Sequence, residues 1–146
     1  LTVNILTNHA VNNRRITVFG GQQMRPNIHI KDMAQVYIKS LEWPDAAIDG
    51  KIFNVGYDNF TVAEIAEKVR GVIGDEIEIV TTPTDDNRSY HVSSAKIKSE
   101  LGFVAEHSVE EAIHDLAASF QAGKIPNPMT DARYYNIKTM QKVNLR

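Results

Sequence analysis

Cysteine is absent, so disulfides and thiolate metal centres are excluded. That absence suits a reducing compartment, and a cytoplasmic location is expected. No apolar run approaches the length of a membrane span, and no basic-then-apolar leader precedes the first helical pattern, so no membrane partner is expected. Positive charge is not in excess either: the net charge is −2, and nothing global attracts nucleic acid. Glycine is sparse where phosphate chemistry most often uses it. No GxGxxG follows a strand, and Gly20-Gly21 is too short and lacks the third glycine. P-loop and HExxH motifs are missing. His9, His29, His91, His107 and His114 have no metal-ligand spacing, and His29 reads as a hydrogen-bonded structural residue in a strand.

What remains is an ordinary globular composition. The 146 residues match one domain, and 42% apolar with 23% charged residues allow a core. Charge is unevenly spread. Residues 1–31 carry Arg14, Arg15, Arg25 and Lys31 and no acid, and the last sixteen residues are basic again, with Arg133, Lys138, Lys142 and Arg146 against Asp131. A local basic face in a slightly acidic protein suits a small anionic ligand; solvated basic ends are the alternative. Residue 1 is Leu and an amphipathic pattern starts at once, so the chain is expected to be a piece of something longer, with a trimmed tag as the alternative.

The periodicities alternate between helix and strand, which predicts an α/β fold. Leu1, Val3, Ile5, Leu6, His9, Ala10 and Val11 fall near helical spacing, ended by Asn12-Asn13. Residues 15–19 and 27–30 read as short strands. Asp32 reads as a helix N-cap with Gln35 as its capping-box partner, and Pro44 marks the end of that helix. Residues 51–56 read as a compact apolar strand closed by glycine. Thr61 with Glu64 and Ser108 with Glu111 are capping boxes that open two further helices. Residues 76–81 alternate like a half-buried strand. A polar loop over 82–87 precedes Arg88, and Ser93 or Ser94 caps a short helix ending at Leu101-Gly102. Strands are too few for a complete doubly wound sheet.

The most informative stretch is residues 18–34. A short strand meets a glycine-broken loop, one arginine, a second strand and a helix start. Arg25 follows Gly20-Gly21 and precedes Pro26, which stiffens the backbone. A guanidinium held there suits an anion, because its planar fork meets two phosphate oxygens at once. A structural salt bridge or a solvated loop cation is the competing reading. Tyr134 and Lys138 spell YxxxK, the spacing by which a helix lets an ammonium lower a phenol pKa. The pair lies in a terminal tail without a preceding serine-bearing strand, and is read as chance.

Residues 18–34 resemble the carboxyl-half signature of the extended short-chain dehydrogenase/reductases, the NAD-dependent nucleoside-diphosphate-sugar epimerases and dehydratases. Phe19-Gly20, Arg25, Ile28-His29-Ile30 and Asp32-Met33-Ala34 carry that resemblance. Residues 51–56, residues 61–69, Arg88-Ser89-Tyr90, Ala95-Lys96-Ile97, Leu101-Gly102-Phe103 and residues 108–116 extend it in the family's order. It implies a partial fold: the carboxyl-terminal, substrate-binding portion of an extended Rossmann-type fold that lacks most of the parallel sheet. Residues 1–123 would form the sugar-nucleotide-binding domain and 124–146 a tail. The partner would be a nucleoside-diphosphate sugar, and NAD and the catalytic residues would sit in the missing amino-terminal half. The full-length protein would be an epimerase or dehydratase working by transient hydride removal to NAD and its return; this chain alone would be inactive and would bind NAD poorly. Arg25 matches the arginine that grips the diphosphate, Thr17 and Phe19 the strand that holds the base, and Asn54 an asparagine near the phosphates. Arg88 stands closer to its tyrosine than the family's second phosphate arginine does, and either substitutes for it or is structural. Asn4 and Asn8 lie on a helix where the family offers substrate contacts. An exposed apolar strand edge would let the chain pair with its own copies as a homo-oligomer. A non-catalytic nucleotide-binding or interaction module with the same fold is the rival reading.

Overall fold

A computed structural model describes residues 2–86 and 88–144; expectations touching Leu1, Asn87 and Arg146 lie outside the described residues. Helix α1 (Thr2–Asn13) leads into strand β1 (Arg15–Phe19). Strand β2 (Met24–Asn27), helix α2 (Ile30–Ser40) and the single turn α3 (Asp45–Ile48) follow. Strand β3 (Asp58–Thr61) runs directly into helix α4 (Val62–Ile73), and strand β4 (Glu78–Thr82) comes next. Helices α5 (Ala95–Leu101) and α6 (Val109–Gln121), a 3-10 turn (Ala132–Tyr134) and helix α7 (Asn136–Lys142) complete the chain.

The parallel pair β1–β4 is the base of the fold, in register from Arg15 opposite Glu78 to Phe19 opposite Thr82. Strand side chains alternate between faces. Ile16 and Val18 therefore point into the core and are essentially fully buried, while Arg15, Thr17 and Phe19 share the other face. Helices α1, α4 and α6 cover the inner face with Leu6, Ala10, Ile65, Ala66, Val69 and Ile113. Burying each large aliphatic side chain contributes roughly 1.5–3 kcal/mol, so this cluster fixes the base. A second cluster of Val36, Ile97 and Phe103 gathers Met33, Trp43, Phe53, Val55 and Leu101 around it. Both capping boxes form. Thr61 Oγ1 accepts from the Glu64 N–H and Ser108 Oγ from the Glu111 N–H, while each glutamate reaches back to its cap backbone.

Five expectations change. The second strand is β2, earlier than residues 27–30, and it pairs antiparallel with β3, which the sequence pattern did not announce. The N-cap of α2 is His29, not Asp32: its Nδ1 accepts from the Lys31 N–H at 3.1 Å. His29 is thus hydrogen-bonded as expected, but at a helix start rather than in a strand. Gln35 consequently stands beyond the first turn and closes no capping box. Residues 51–56 form no ladder. Phe53 and Val55 pack into the second cluster, while Ile52 is 84% exposed; the segment is without a neighbouring strand among the described residues.

Asp32 has a different task. It sits at the third helical position, is 3% exposed, and takes two bonds from the chain before α6. Its Oδ1 lies 2.7 Å from His107 Nδ1, and its Oδ2 accepts from the His107 N–H at 3.0 Å. Burial pushes the Asp32 carboxyl up; the His107 side chain and the backbone groups of His107 and Glu106 outweigh that and hold it below its ordinary value of 3.8. A depressed carboxyl stabilises the fold above its unfolded pKa, and that stabilisation is lost as pH falls through the folded value. Asp32→Asn is therefore expected to cost about 1.5–3 kcal/mol of unfolding free energy at neutral pH. It should also flatten the loss of stability below about pH 4. Urea denaturation across the acidic range measures both, and parallel acid curves for wild type and variant would remove Asp32 from this role.

Candidate functional site

A cleft of about 760 Å³ opens between the start of α1, strand β2 with the α2 N-terminus, and α6. Arg25 and Asn4 line it together with His29, His107 and Asp115, and Ile28, Met33 and Leu116 supply apolar wall. The Asp32–His107 bond thus ties two walls of the cleft to each other. Lys31 Nζ donates to Asp115 at 2.7 Å. This bond raises the lysine pKa and lowers that of the carboxyl.

Arg25 is half-buried and held on several sides. Its Nη1 donates to the Met24 carbonyl at 2.9 Å and to the Arg88 carbonyl at 2.7 Å. Its Cζ lies 5.6 Å from the centre of the Tyr90 ring. The segment before Tyr90 is stitched to β2: the Met24 N–H donates to Ser89 Oγ, and the Tyr90 N–H to the Met24 carbonyl. The glycine loop is braced in the same way. Buried Gln23 accepts from the Gly21 N–H and donates to the carbonyls of Phe19 and Asp86. Gly20 has φ +75°, and a Cβ there would come within 2.5 Å of Gln23 Nε2 and 2.6 Å of Thr84 Cγ2. The loop before Arg25 is therefore cross-linked rather than a free hinge.

The expected site residues do not all meet in this cleft. Arg25 lines it; Thr17, Phe19, Asn54 and Arg88 do not. Thr17 and Phe19 lie on the open face of the β1–β4 pair, with Phe19 61% exposed at the strand end. Asn54 is exposed, between the packed Phe53 and Val55. Asp86 accepts from Arg88 through Nε at 2.7 Å and Nη2 at 2.8 Å. The pair holds the Asp86 carboxyl well below its usual range. Both partners are largely exposed, and ion pairs of that kind contribute little. Asn4 lines the cleft, whereas Asn8 is committed to the Pro128 carbonyl and to Asn12. Tyr134 stands in the 3-10 turn and Lys138 in α7, where its Nζ lies 4.2 Å from the Tyr135 ring centre; the one-helix geometry of a working YxxxK pair is not formed. Gln23 and the Asp32–His107 pair escaped the sequence reading, and Ser89 and Tyr90 were read as part of a motif without their contacts to β2 and Arg25. Gln23, beside two glycines, and the Arg88-Ser89-Tyr90 run carried local signals.

Among the described residues, the glycine loop does not have the form that cradles the pyrophosphate of a dinucleotide. The glycine loop leads into β2 instead of a helix, and Gln23 and Thr84 fill the space above Gly20. The N-termini of α4 and α6 each carry a capping glutamate that answers the helix dipole. Among the described residues, no three metal-ligating side chains cluster, and no helix is long and apolar enough to cross a membrane.

Comparison with known proteins accounts for the arrangement. The model of the NAD dependent epimerase/dehydratase family matches residues 2–56. A UDP-glucose 4-epimerase of Corynebacterium glutamicum is 34% identical over 103 residues, which is 68% of this chain and 31% of that protein. The crystal structure of UDP-glucose 4-epimerase from Thermotoga maritima superposes with a TM-score of 0.71 at 22% identity, over 84% of this chain and 40% of that one. UDP-N-acetylglucosamine 4-epimerase from Bacillus cereus gives 0.67 at 19% identity, over 83% and 40%. L-threonine dehydrogenase from Phytophthora infestans gives 0.69 at 12%, over 81% and 40%. The chain thus spans about a third of the length of its curated relative and about 40% of these solved chains. Its α/β fold is the corresponding part of theirs, and over the matched stretches the chain is similar to the NAD-dependent epimerase/dehydratase family.

Proposed function

We propose that this chain is the substrate-binding part of an NAD-dependent nucleoside-diphosphate-sugar epimerase or dehydratase. In this reading it grips the diphosphate and the base, and a further part of the full-length protein holds NAD and the catalytic groups. The observation that carries the proposal is Arg25. Both hydrogens of its Nη1 are spent on the Met24 and Arg88 carbonyls. Among the described residues that leaves the Nε–Nη2 edge, the one that meets two phosphate oxygens side by side. The cleft it lines is wide enough for a sugar nucleotide's polar core and has apolar wall for the rest. Thr17 and Phe19, on the open face of β1, would offer backbone groups and a ring face to a base, and Asn54 is an exposed amide donor for a phosphate oxygen. Arg88 becomes a second phosphate contact by giving up its exposed pair with Asp86, at small cost. None of these groups is an acid, a base or a hydride acceptor; they contribute affinity and orientation.

UDP-glucose is the first ligand to test, since the matched curated relative is a UDP-glucose 4-epimerase. In calorimetry on the full-length protein, Arg25→Ala is expected to weaken UDP-glucose binding by about tenfold or more, since a hydrogen bond to a charged group contributes roughly 1.5–3 kcal/mol. Arg25→Lys should recover only part of it, because the planar fork is lost. Affinity unchanged by Arg25→Ala would remove the diphosphate assignment. Turnover of L-threonine with no response to UDP-glucose would replace the substrate class. The chain of residues 1–146 by itself is expected to show neither micromolar NAD affinity nor conversion of the sugar nucleotide; either result would overturn the division of labour.

A further inference from the structure

We propose that Tyr90 is a positioning residue that holds the Arg25 guanidinium with its Nε–Nη2 edge presented for an oxyanion. This rests on the diphosphate reading of Arg25. A long arginine at the mouth of a cleft ordinarily samples many rotamers, and fixing them on binding costs affinity. Here the ordering is built in beforehand. The Met24 carbonyl accepts from Arg25 Nη1 and from the Tyr90 N–H at once, at 2.9 and 3.1 Å. The same pairing brings the Arg88 carbonyl to 2.7 Å from Nη1. Those two bonds fix one corner of the guanidinium but leave it free to swing about that corner. The Tyr90 ring, with its centre 5.6 Å from Cζ, closes that freedom through attraction between the cation and the ring's negative face. Tyr90 is itself 50% exposed, so its ring is not a core element whose removal would unfold the chain. The attraction belongs to the ring and not to the hydroxyl. Phenylalanine should therefore serve and leucine should not.

A double-mutant cycle on the full-length protein tests this, with calorimetric affinity for UDP-glucose as the readout. Tyr90→Leu is expected to weaken binding by about three- to fivefold, and Tyr90→Phe to leave it unchanged. In the Arg25→Ala background Tyr90→Leu should cost nothing further, because its effect runs through Arg25. In the protein without ligand, NMR order parameters for the Arg25 Nε–H should fall in Tyr90→Leu and hold in Tyr90→Phe. If Arg25→Ala leaves affinity intact, the diphosphate reading fails and this one with it. If Arg25→Ala weakens binding while Tyr90→Leu has no effect, or has its full effect without Arg25, the diphosphate reading stands and Tyr90 is not its positioning residue. An Arg25 order parameter indifferent to Tyr90→Leu also overturns the proposal.

Discussion

Asp32 carries a carboxylate into the seam between the start of α2 and the chain that enters α6, and the cleft depends on it. A buried charge is tolerated only when it is paired and hydrogen-bonded. His107 supplies both its ring nitrogen and its backbone N–H. The consequence is directional. Helix α2 begins where His29 caps it, β2 precedes it directly, and α6 is drawn against the same point. The His29 and His107 rings stand 5.1 Å apart across the seam, so the two elements that flank Arg25's cleft share one polar joint. Removing the carboxylate would leave a backbone donor without its partner in a dry place, and the wall opposite Arg25 would be the first part to loosen.

The local rules written in the sequence were legible to different depths. The boxes at Thr61 and Ser108 could be read because each is carried by two residues three apart that bond to each other. The β1 strand and the apolar face of α4 were legible for the same reason: Ile16 and Val18, or Ile65, Ala66 and Val69, repeat at the period of the element that buries them. His29 and Asp32 were misassigned because two polar residues near a helix start compete for one role. The winner was decided by His107, 75 residues away, whose demand on Asp32 no local window contains. Arg25 was legible as a candidate from its neighbours. Its fixation was not, since it comes from the carbonyl of Arg88 and the ring of Tyr90, more than sixty residues on.

Residues 51–56 show how a strand can be right in pattern and absent in fact. Their alternation places Phe53 and Val55 on a packed face and leaves Ile52 exposed. A ladder needs a neighbour as well as a pattern, and no strand lies beside them among the described residues. The chain covers about 40% of solved proteins that share its fold. In place of a neighbouring strand, side chains reach the segment: Lys96 Nζ donates to the Ile52 carbonyl and Ser94 Oγ to the Gly56 carbonyl.

Fold alone leaves the substrate open. Sugar-nucleotide epimerases and a threonine dehydrogenase superpose on this chain almost equally well, so the shared α/β frame answers to packing and not to chemistry. Discrimination must come from charge placed where the frame permits it. Under the proposed reading a diphosphate asks for a fixed planar cation, and Arg25 is held as one. The chain braces the loop ahead of Arg25 with Gln23, satisfies one guanidinium nitrogen with two carbonyls, and sets a ring against the flat face. The Asp86–Arg88 pair nearby is of another kind, exposed and cheaply broken, and can respond to a ligand where Arg25 cannot. In the proposed reading, a held cation on β2 and a releasable one on the segment beside it would give a polyanion a fixed first contact and an adjustable second. A small zwitterionic amino acid has one carboxylate for the first and no use for the second, which is why the proposed reading takes a diphosphate as the ligand to test.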